Sequence, residues 1–414
     1  MVKNMRILQI NNYHYIKGGS EKVFLDTVKL LEYNGHEVIT FSTLDDKNIP
    51  RDKSICIKVE NIFSDKSLFS KLLSYKAFLY NVKVAKRLQE TIDLYKPEIA
   101  HLHIYYGKLS NSVIDILHKN KIPFVISLHE YRLLCPNYTF LRHDSTICES
   151  CAKKIFKNDC IKYKCNKGNY LYSFLSVIET LYRDILYNPI KKANGFIAVS
   201  KFIRDKHLEY IPSIKNKIEH IYNFVDIKEL TIYRKNITNK DDYYLYFGRL
   251  SYEKCLITLL NAFKERPSLK LLIVGTGPLD EEISKIVNEQ KLNVKLIGFK
   301  TGSELYEIVS SARYTIVPSE WYENNPITIL ESLSLGTPII ASKIGGIPEL
   351  VSDSFNGFIF ENGRVESLIQ ALDKSKNYMK YYELVDNSIK FAEFNFIDDV
   401  HYNKLVNFYN KIIK

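Results

Sequence analysis

Short runs of aliphatic and β-branched residues alternate with segments of helical spacing along this chain, and the alternation occurs twice. MRILQI, HEVITFS, IAHLHI, PFVISLHE and GFIAVS punctuate the first half; YYLYFGRL, LKLLIVG, VKLIGF, YTIVPS, PIIAS and GFIFE punctuate the second. The runs are apolar on successive residues rather than on alternate ones. That suits strands covered on both faces, with the intervening helices as the cover. The pattern predicts doubly wound parallel sheets. One core seldom grows beyond about 250–300 residues, so 414 residues predict two such domains, facing each other across a cleft. The first is expected over 1–215 and the second over 216–390, with polar, Pro-containing linker composition around Ile211 to Lys240. Residues 135–168 read as a cysteine-rich insertion, and the final helix, within 391–414, is expected to pack back on the first domain.

Charge narrows the partners. The formal net charge is +11, and part of the excess is clustered. One helix-like stretch, Lys66 to Ile92, mixes Lys66, Lys71, Lys76, Lys83, Lys86 and Arg87 with Leu, Phe and Tyr, and Cys151 to Tyr170 holds six lysines against one acidic residue. Such clusters suit an anionic membrane surface or a phosphate-bearing substrate. No helix-turn-helix, zinc-finger or RNA-binding motif accompanies them, so nucleic acid is not an expected partner. No stretch approaches the roughly 18 apolar residues of a membrane span. The opening MVKNMRILQI reads as a first strand rather than a signal segment, so a cytoplasmic protein is expected, with peripheral attachment to the inner membrane face.

The sharpest functional signal is SEWYENNPITILESLSLGTP, Ser319 to Pro338. The residues through Asn325 read as a loop beyond a strand's carboxyl end, where open α/β sheets bind ligands. Pro326 fits the first position of the following helix, with Asn325 or Asn324 capping. A helix start offers unpaired N–H groups and a positive dipole end to phosphate. Glu323 then lies in the loop, while Glu331 projects from the helix's second turn. Carboxylates repel a diphosphate but accept hydrogen bonds from sugar hydroxyls, so a sugar attached to a nucleoside diphosphate satisfies all three features. Arg249 and Lys254, in FGRLSYEKC beyond another strand, supply cations for that diphosphate. Gly18 and Gly19, in KGGSE, allow close backbone approach to a ligand. The chain has neither a Walker A loop nor a GxGxxG fingerprint.

GGSE, LHEYRLLCP, FGRLSYEK, LLIVGTGPL and the two glutamates spaced by seven residues, followed by SLGTPIIASKIGGIPELV, together resemble glycosyltransferase family 4 over nearly the whole chain. The resemblance implies the GT-B fold of two Rossmann-like domains. It also implies retaining transfer of a sugar from a nucleotide-sugar donor to a glycan or lipid-linked acceptor in surface polysaccharide or lipopolysaccharide synthesis, with no catalytic metal. It assigns the ribose hydroxyls to Glu331 and the donor sugar to Glu323. The departing diphosphate falls to Arg249 and Lys254, and the backbone N–H groups of Asn325, Ile327 and Thr328, beside Asn324, complete the donor site. His129, ending PFVISLHE, matches the family histidine that approaches the transferred sugar. Glu130 stands where Asp is usual, Cys255 where Gly is usual, and Phe224 interrupts the customary Asn-Gly-Val-Asp. The Cys255 departure bears on the turn that aims Lys254. The rival readings are a GT-B epimerase and a non-catalytic nucleotide- or glycan-binding protein; a dinucleotide oxidoreductase lacks its fingerprint.

Five of the seven cysteines fall between Cys135 and Cys165. Cys148, Cys151, Cys160 and Cys165 have a spacing that suits a structural zinc. Unligated thiols and disulfides are the alternatives, the latter disfavoured in a reducing cytoplasm. His101 and His103 end a strand and read as satisfied strand-end histidines.

Overall fold

A computed structural model describes residues 4–59, 68–235 and 240–414. The chain divides into two compact units, one of Met1–Val199, Ile203–Ile221 and Tyr402–Lys414, the other of Ser200–Phe202 and Tyr222–His401. Among the described residues, each unit is built on one wholly parallel sheet.

In the first unit the strands are β1 (Arg6–Ile10), β2 (Glu37–Thr43), β3 (Ser54–Ile57), β4 (Ile99–Leu102), β5 (Phe124–Leu128), β6 (Gly195–Ala198) and β7 (Ile218–His220). They lie in the order β3-β2-β1-β4-β5-β6-β7. In the second unit β8 (Tyr244–Phe247), β9 (Leu271–Val274), β10 (Val294–Leu296), β11 (Tyr314–Val317), β12 (Ile339–Ser342) and β13 (Gly357–Phe360) lie in the order β10-β9-β8-β11-β12-β13. Both orders reverse direction once, between β1 and β4 and between β8 and β11, which is the Rossmann arrangement. The predicted apolar runs all fall on strands. Ile7, Leu8, Ile99, Val125 and Phe196 in the first sheet and Leu245, Ile316, Ile339 and Phe358 in the second are fully buried, because helices cover both faces.

The sequence pattern missed β3 and β7. Both are edge strands whose residues are only half-buried, so neither carries the continuous apolar run that marks a central strand. The single basic helix expected over 66–92 is two helices, Leu68–Leu79 and Val82–Tyr95. Asn81 separates them because its side chain accepts from Lys83 N at 3.1 Å and Val84 N at 3.2 Å and so caps the second. Lys66 and the linker positions 236–239 lie outside the described residues. Among the described residues, no helix is long and apolar enough to cross a membrane.

The last helix, Asp398–Ile413, lays Phe408 and Ile412 over the start of β6. Gly195 permits this, since a Cβ there would stand 2.6 Å from both Ile412 Cδ1 and Phe408 Cζ. Gly195→Ala is therefore expected to cost about 1–3 kcal/mol by overpacking. Urea unfolding measures this as a lowered midpoint, and an unchanged midpoint would show that the helix yields freely.

Candidate active site

The reversal between β8 and β11 sends two loops out of the same carboxyl edge of the second sheet. The loop after β8 carries Arg249 and ends in a short 3-10 turn, Tyr252–Lys254; the loop after β11 carries Ser319 through Asn325. Lys254 Nζ meets Glu323 Oε1 in an ion pair, and Ser319 Oγ donates to the same oxygen at 2.7 Å. Glu323 is only 5% exposed. Burial pushes its carboxyl up, but the charge of Lys254 and hydrogen bonds from Lys254 and Ser319 outweigh it and hold the group below the ordinary carboxylate value. Lys254 Nζ also lies 5.3 Å from the centre of the Trp321 ring.

The Glu323 loop rests on the backbone that follows β12. Gly346 N donates to Glu323 O at 2.6 Å. Gly345 adopts φ +58°, and a Cβ there would come within 2.3 Å of Glu323 O. Glu349, in the next turn, accepts from Lys201 N at 2.8 Å, Phe202 N at 2.5 Å and the Tyr222 hydroxyl at 3.0 Å, fixing the Ser200–Phe202 segment in the same unit. Phe224, the departure in that region, is buried against the His401 ring.

The helix after this loop runs Ile327–Ser334, so Pro326 is the cap residue itself rather than the first helical position. Neither asparagine caps the helix. Asn325 instead turns inward, its side-chain oxygen accepting from Asn223 N at 3.0 Å and its carbonyl from Asn223 Nδ2 at 3.1 Å. Pro lacks a side-chain acceptor, and no side-chain hydrogen bond caps the helix start. Ile327 and Thr328 thus stand at an uncapped N-terminus, where the first N–H groups have no partner within the helix. Glu331 is buried one turn on, at 6% exposure.

Arg249 is exposed, and among the described residues its guanidinium joins no ion pair; its carbonyl accepts from the Tyr246 hydroxyl at 2.7 Å. Cys255 takes φ +52° as the cap of the helix Leu256–Lys264. A side chain in that left-handed conformation costs about 1–2 kcal/mol, yet the turn forms and Lys254 reaches Glu323.

In the first unit, Gly18 caps the helix Gly19–Tyr33 directly after the β1 loop, and Gly19 opens it. Glu21, in its first turn, is buried, and burial raises its carboxyl. His129 follows β5 and is half-buried; burial lowers its imidazole to about 4. Beside it, burial raises Glu130 to about 7, against the pull of Arg132 and with a further push from Glu21.

The zinc quartet is not assembled. Cys151 and Cys160 are buried with Val177, and Cys165 packs against them. The Cys148 thiol instead donates to Ser150 Oγ at 3.4 Å and lies beside Arg142. Among the described residues, no group of three or more His, Cys, Asp or Glu side chains is placed to hold a metal ion. Cys165 N donates to Cys160 O at 3.0 Å, and burial pushes the Cys151 thiol up to about 12. These sulfurs pack with Ile161 and Leu181 into a small core for the insertion. All seven cysteines are free thiols.

Sequence reasoning missed Ser319, Trp321 and Glu349, whose roles arise from contacts between loops and leave no local spacing. The Gly345-Gly346 pair was visible as a sequence signal, but its function as a seat for residue 323 was not.

The model for Glycosyltransferase Family 4 matches residues 17–229, and that for glycosyl transferases group 1 matches 228–389. An uncharacterised 42.6 kDa protein in the cps region of Klebsiella pneumoniae is 25% identical over 84% of this chain and 87% of its own length. The Campylobacter jejuni N-acetylgalactosamine-N,N'-diacetylbacillosaminyl-diphospho-undecaprenol 4-alpha-N-acetylgalactosaminyltransferase is 24% identical over 66% of this chain and 77% of its own. The match to an uncharacterised glycosyltransferase of Methanocaldococcus jannaschii spans 54% of that relative's length. Among solved structures, Anabaena HepE in complex with UDP superposes with a TM-score of 0.68 at 16% identity, over 98% of this chain and 100% of that one, a likeness of fold.

The Lys254–Glu323 pair has a pH signature. The Glu323 carboxyl lies lower folded than its ordinary value of 4.5, so the pair stabilises above that value and its contribution is lost as pH falls through the folded value. Lys254→Met leaves a buried carboxylate without its cation. Chemical unfolding is expected to show a loss of about 1–3 kcal/mol at pH 7 that shrinks below pH 4.5. A deficit independent of pH would assign the loss to packing.

Proposed function

The chain belongs to glycosyltransferase family 4, and from that premise we propose that it moves a sugar, with retention at the anomeric carbon, from a nucleoside diphosphate to a glycan or lipid-linked acceptor. Supporting this is the buried Glu323, clamped by Lys254 and Ser319 beside the uncapped start of the helix Ile327–Ser334. An anion-seeking helix terminus and a hydroxyl-seeking carboxylate within one loop match the two halves of a sugar diphosphate. In this reading the N–H groups of Ile327 and Thr328, with Arg249 and Lys254, take the diphosphate as charge develops on it, lowering the barrier without a metal. Lys254 then bridges two anions, its buried partner and the leaving group. Glu323 holds the donor sugar, Glu331 the ribose, and His129 the transferred sugar. Asn324 and Asn325 shape the loop, and Gly18 and Gly19 leave room for ligand backbone contacts. The relatives from a cps region and with a diphospho-undecaprenol acceptor favour surface-glycan synthesis.

Binding raises the melting temperature by mass action, by about 2.7 kcal/mol of stability at a hundredfold excess over Kd. UDP, GDP, ADP, CMP and NAD are compared without divalent metal on the wild type and Glu331→Ala. One nucleoside diphosphate is expected to stabilise the wild type and to lose that effect in the variant. A response to NAD alone, or to no nucleotide, would sink the reading.

Attachment to an anionic membrane, from the cytoplasmic side, completes the proposal. The insertion and the helix after it expose Ile155 (80%), Phe156 (72%) and Leu171 (60%), among Lys153, Lys154, Lys164 and Lys167. Exposed apolar side chains with lysines close by in the sequence suit an interface with acidic lipid. Sedimentation with vesicles should show binding to phosphatidylserine-containing lipid that weakens with salt; indifference to lipid charge would remove this clause.

A further inference from the structure

The chain's single tryptophan, Trp321, sits in the Glu323 loop. Its Nε1 is buried and, among the described residues, has no hydrogen-bond partner. A buried N–H without an acceptor is costly, and an indole can only donate. A strong acceptor stands beside it. Glu323 N donates to Trp321 O at 2.8 Å, a three-residue turn that folds position 323 back onto 321. Tyr322, between them, is taken up by the Phe202 ring, whose centre is 5.0 Å away. Lys254 Nζ, in contact with Glu323 Oε1, stands 5.3 Å from the centre of the indole ring. One ammonium is thus flanked by the carboxylate and the indole. The indole is near enough to the carboxyl to help lower it, though no hydrogen bond joins the two in this arrangement.

Lys254 has more than one anion to serve. Its charge is the chief support of a carboxylate that is only 5% exposed. In the reading above, the same ammonium also meets the diphosphate. Lysine acts as a point charge, so what it gives to the diphosphate it withdraws from Glu323. A buried carboxylate deprived of its cation is strongly destabilised unless another donor takes over. Ser319 Oγ, 2.7 Å from Oε1, is already bonded there. The indole N–H is a donor not yet engaged, and turning the carboxylate towards it satisfies both groups at once.

We propose that Trp321 is a positioning residue: when a diphosphate draws on Lys254, the indole N–H becomes a donor to Glu323 and keeps that carboxylate ionised and in place for the donor sugar. The ligand half of this rests on the glycosyltransferase reading above; the exchange of partners between Lys254 and Trp321 does not. The exchange couples capture of the diphosphate to the setting of the carboxylate that holds the sugar. It also requires an indole at position 321, because a phenyl ring fills the space but has no hydrogen to donate.

With one indole in the chain, side-chain 1H–15N NMR of the full chain labelled at tryptophan reports this group alone. Lys254→Met removes the ammonium without any ligand, and its indole proton is expected downfield of the wild type, as for a bond to carboxylate. That displacement should vanish in the double variant Lys254→Met, Glu323→Ala. A folded Lys254→Met with its signal at the wild-type position, or a displacement that survives Glu323→Ala, would overturn the exchange. Inorganic pyrophosphate, added to the wild type without divalent metal, is expected to move the signal the same way. Calorimetry should find pyrophosphate bound about tenfold more weakly by Trp321→Phe. The same substitution made in Glu323→Ala should change the affinity less than twofold. Equal weakening in both backgrounds would assign Trp321 to packing and overturn the positioning role. If pyrophosphate leaves the wild-type signal unmoved while Lys254→Met shows the displaced one, the diphosphate reading of the site falls and the exchange of partners stands.

Discussion

The reversal of strand order between β8 and β11 is the constraint on which the candidate site depends. Two neighbouring strands there send their following connections to opposite faces, so their loops diverge and leave a recess at the carboxyl edge. Lys254 and Glu323, 69 residues apart in the chain, meet only because of that adjacency. The same reversal in the first sheet sets β1 beside β4 and brings Gln9, His101 and His103 together. In both units the polar residues cluster where the fold leaves room, and the apolar strands hold them there.

Burial acts on charged groups in opposite ways depending on what the neighbouring loop brings. Glu323 is driven below its ordinary value because a lysine and a hydroxyl arrive at the same oxygen. Glu130 has Arg132 nearby, but burial prevails and its carboxyl rises to about 7. Lys240 is lowered to about 7, and its ammonium donates to the carbonyl of Ser310 and the hydroxyl of Thr337, both at 2.8 Å, rather than to a carboxylate. The same physical cost, desolvation, is overcome at Glu323 and prevails at Glu130 and Lys240, leaving an ionised carboxylate, one that titrates near neutrality and a weakened lysine.

Central strands were legible in the sequence because covering both faces demands successive apolar residues, as in LLIV of β9 and YTIV of β11. Edge strands β3 and β7 escape that demand, and so escaped the pattern. Asn81 divides a stretch whose apolar and basic spacing runs on unbroken, because a cap acts through one side-chain oxygen rather than through periodicity. The asparagines before Pro326 look like caps in the sequence, but Asn223, a hundred residues away, claims one of them. The cysteine spacing suits a metal, yet thiols packed with Val177 and Leu181 satisfy the insertion's need for a core in another way.

By itself the sequence determined the parallel α/β class, the order of the central strands along the chain, and which loops leave a sheet's carboxyl edge. These follow from local hydrophobic runs and from the short range of turn chemistry. Only the tertiary structure decided that Lys254 pairs with Glu323 beside the Trp321 ring, and that Gly345 and Gly346 seat that loop. Each of these depends on which strands become neighbours. Sheet order is settled by the packing of the whole domain, so no local stretch of residues encodes it.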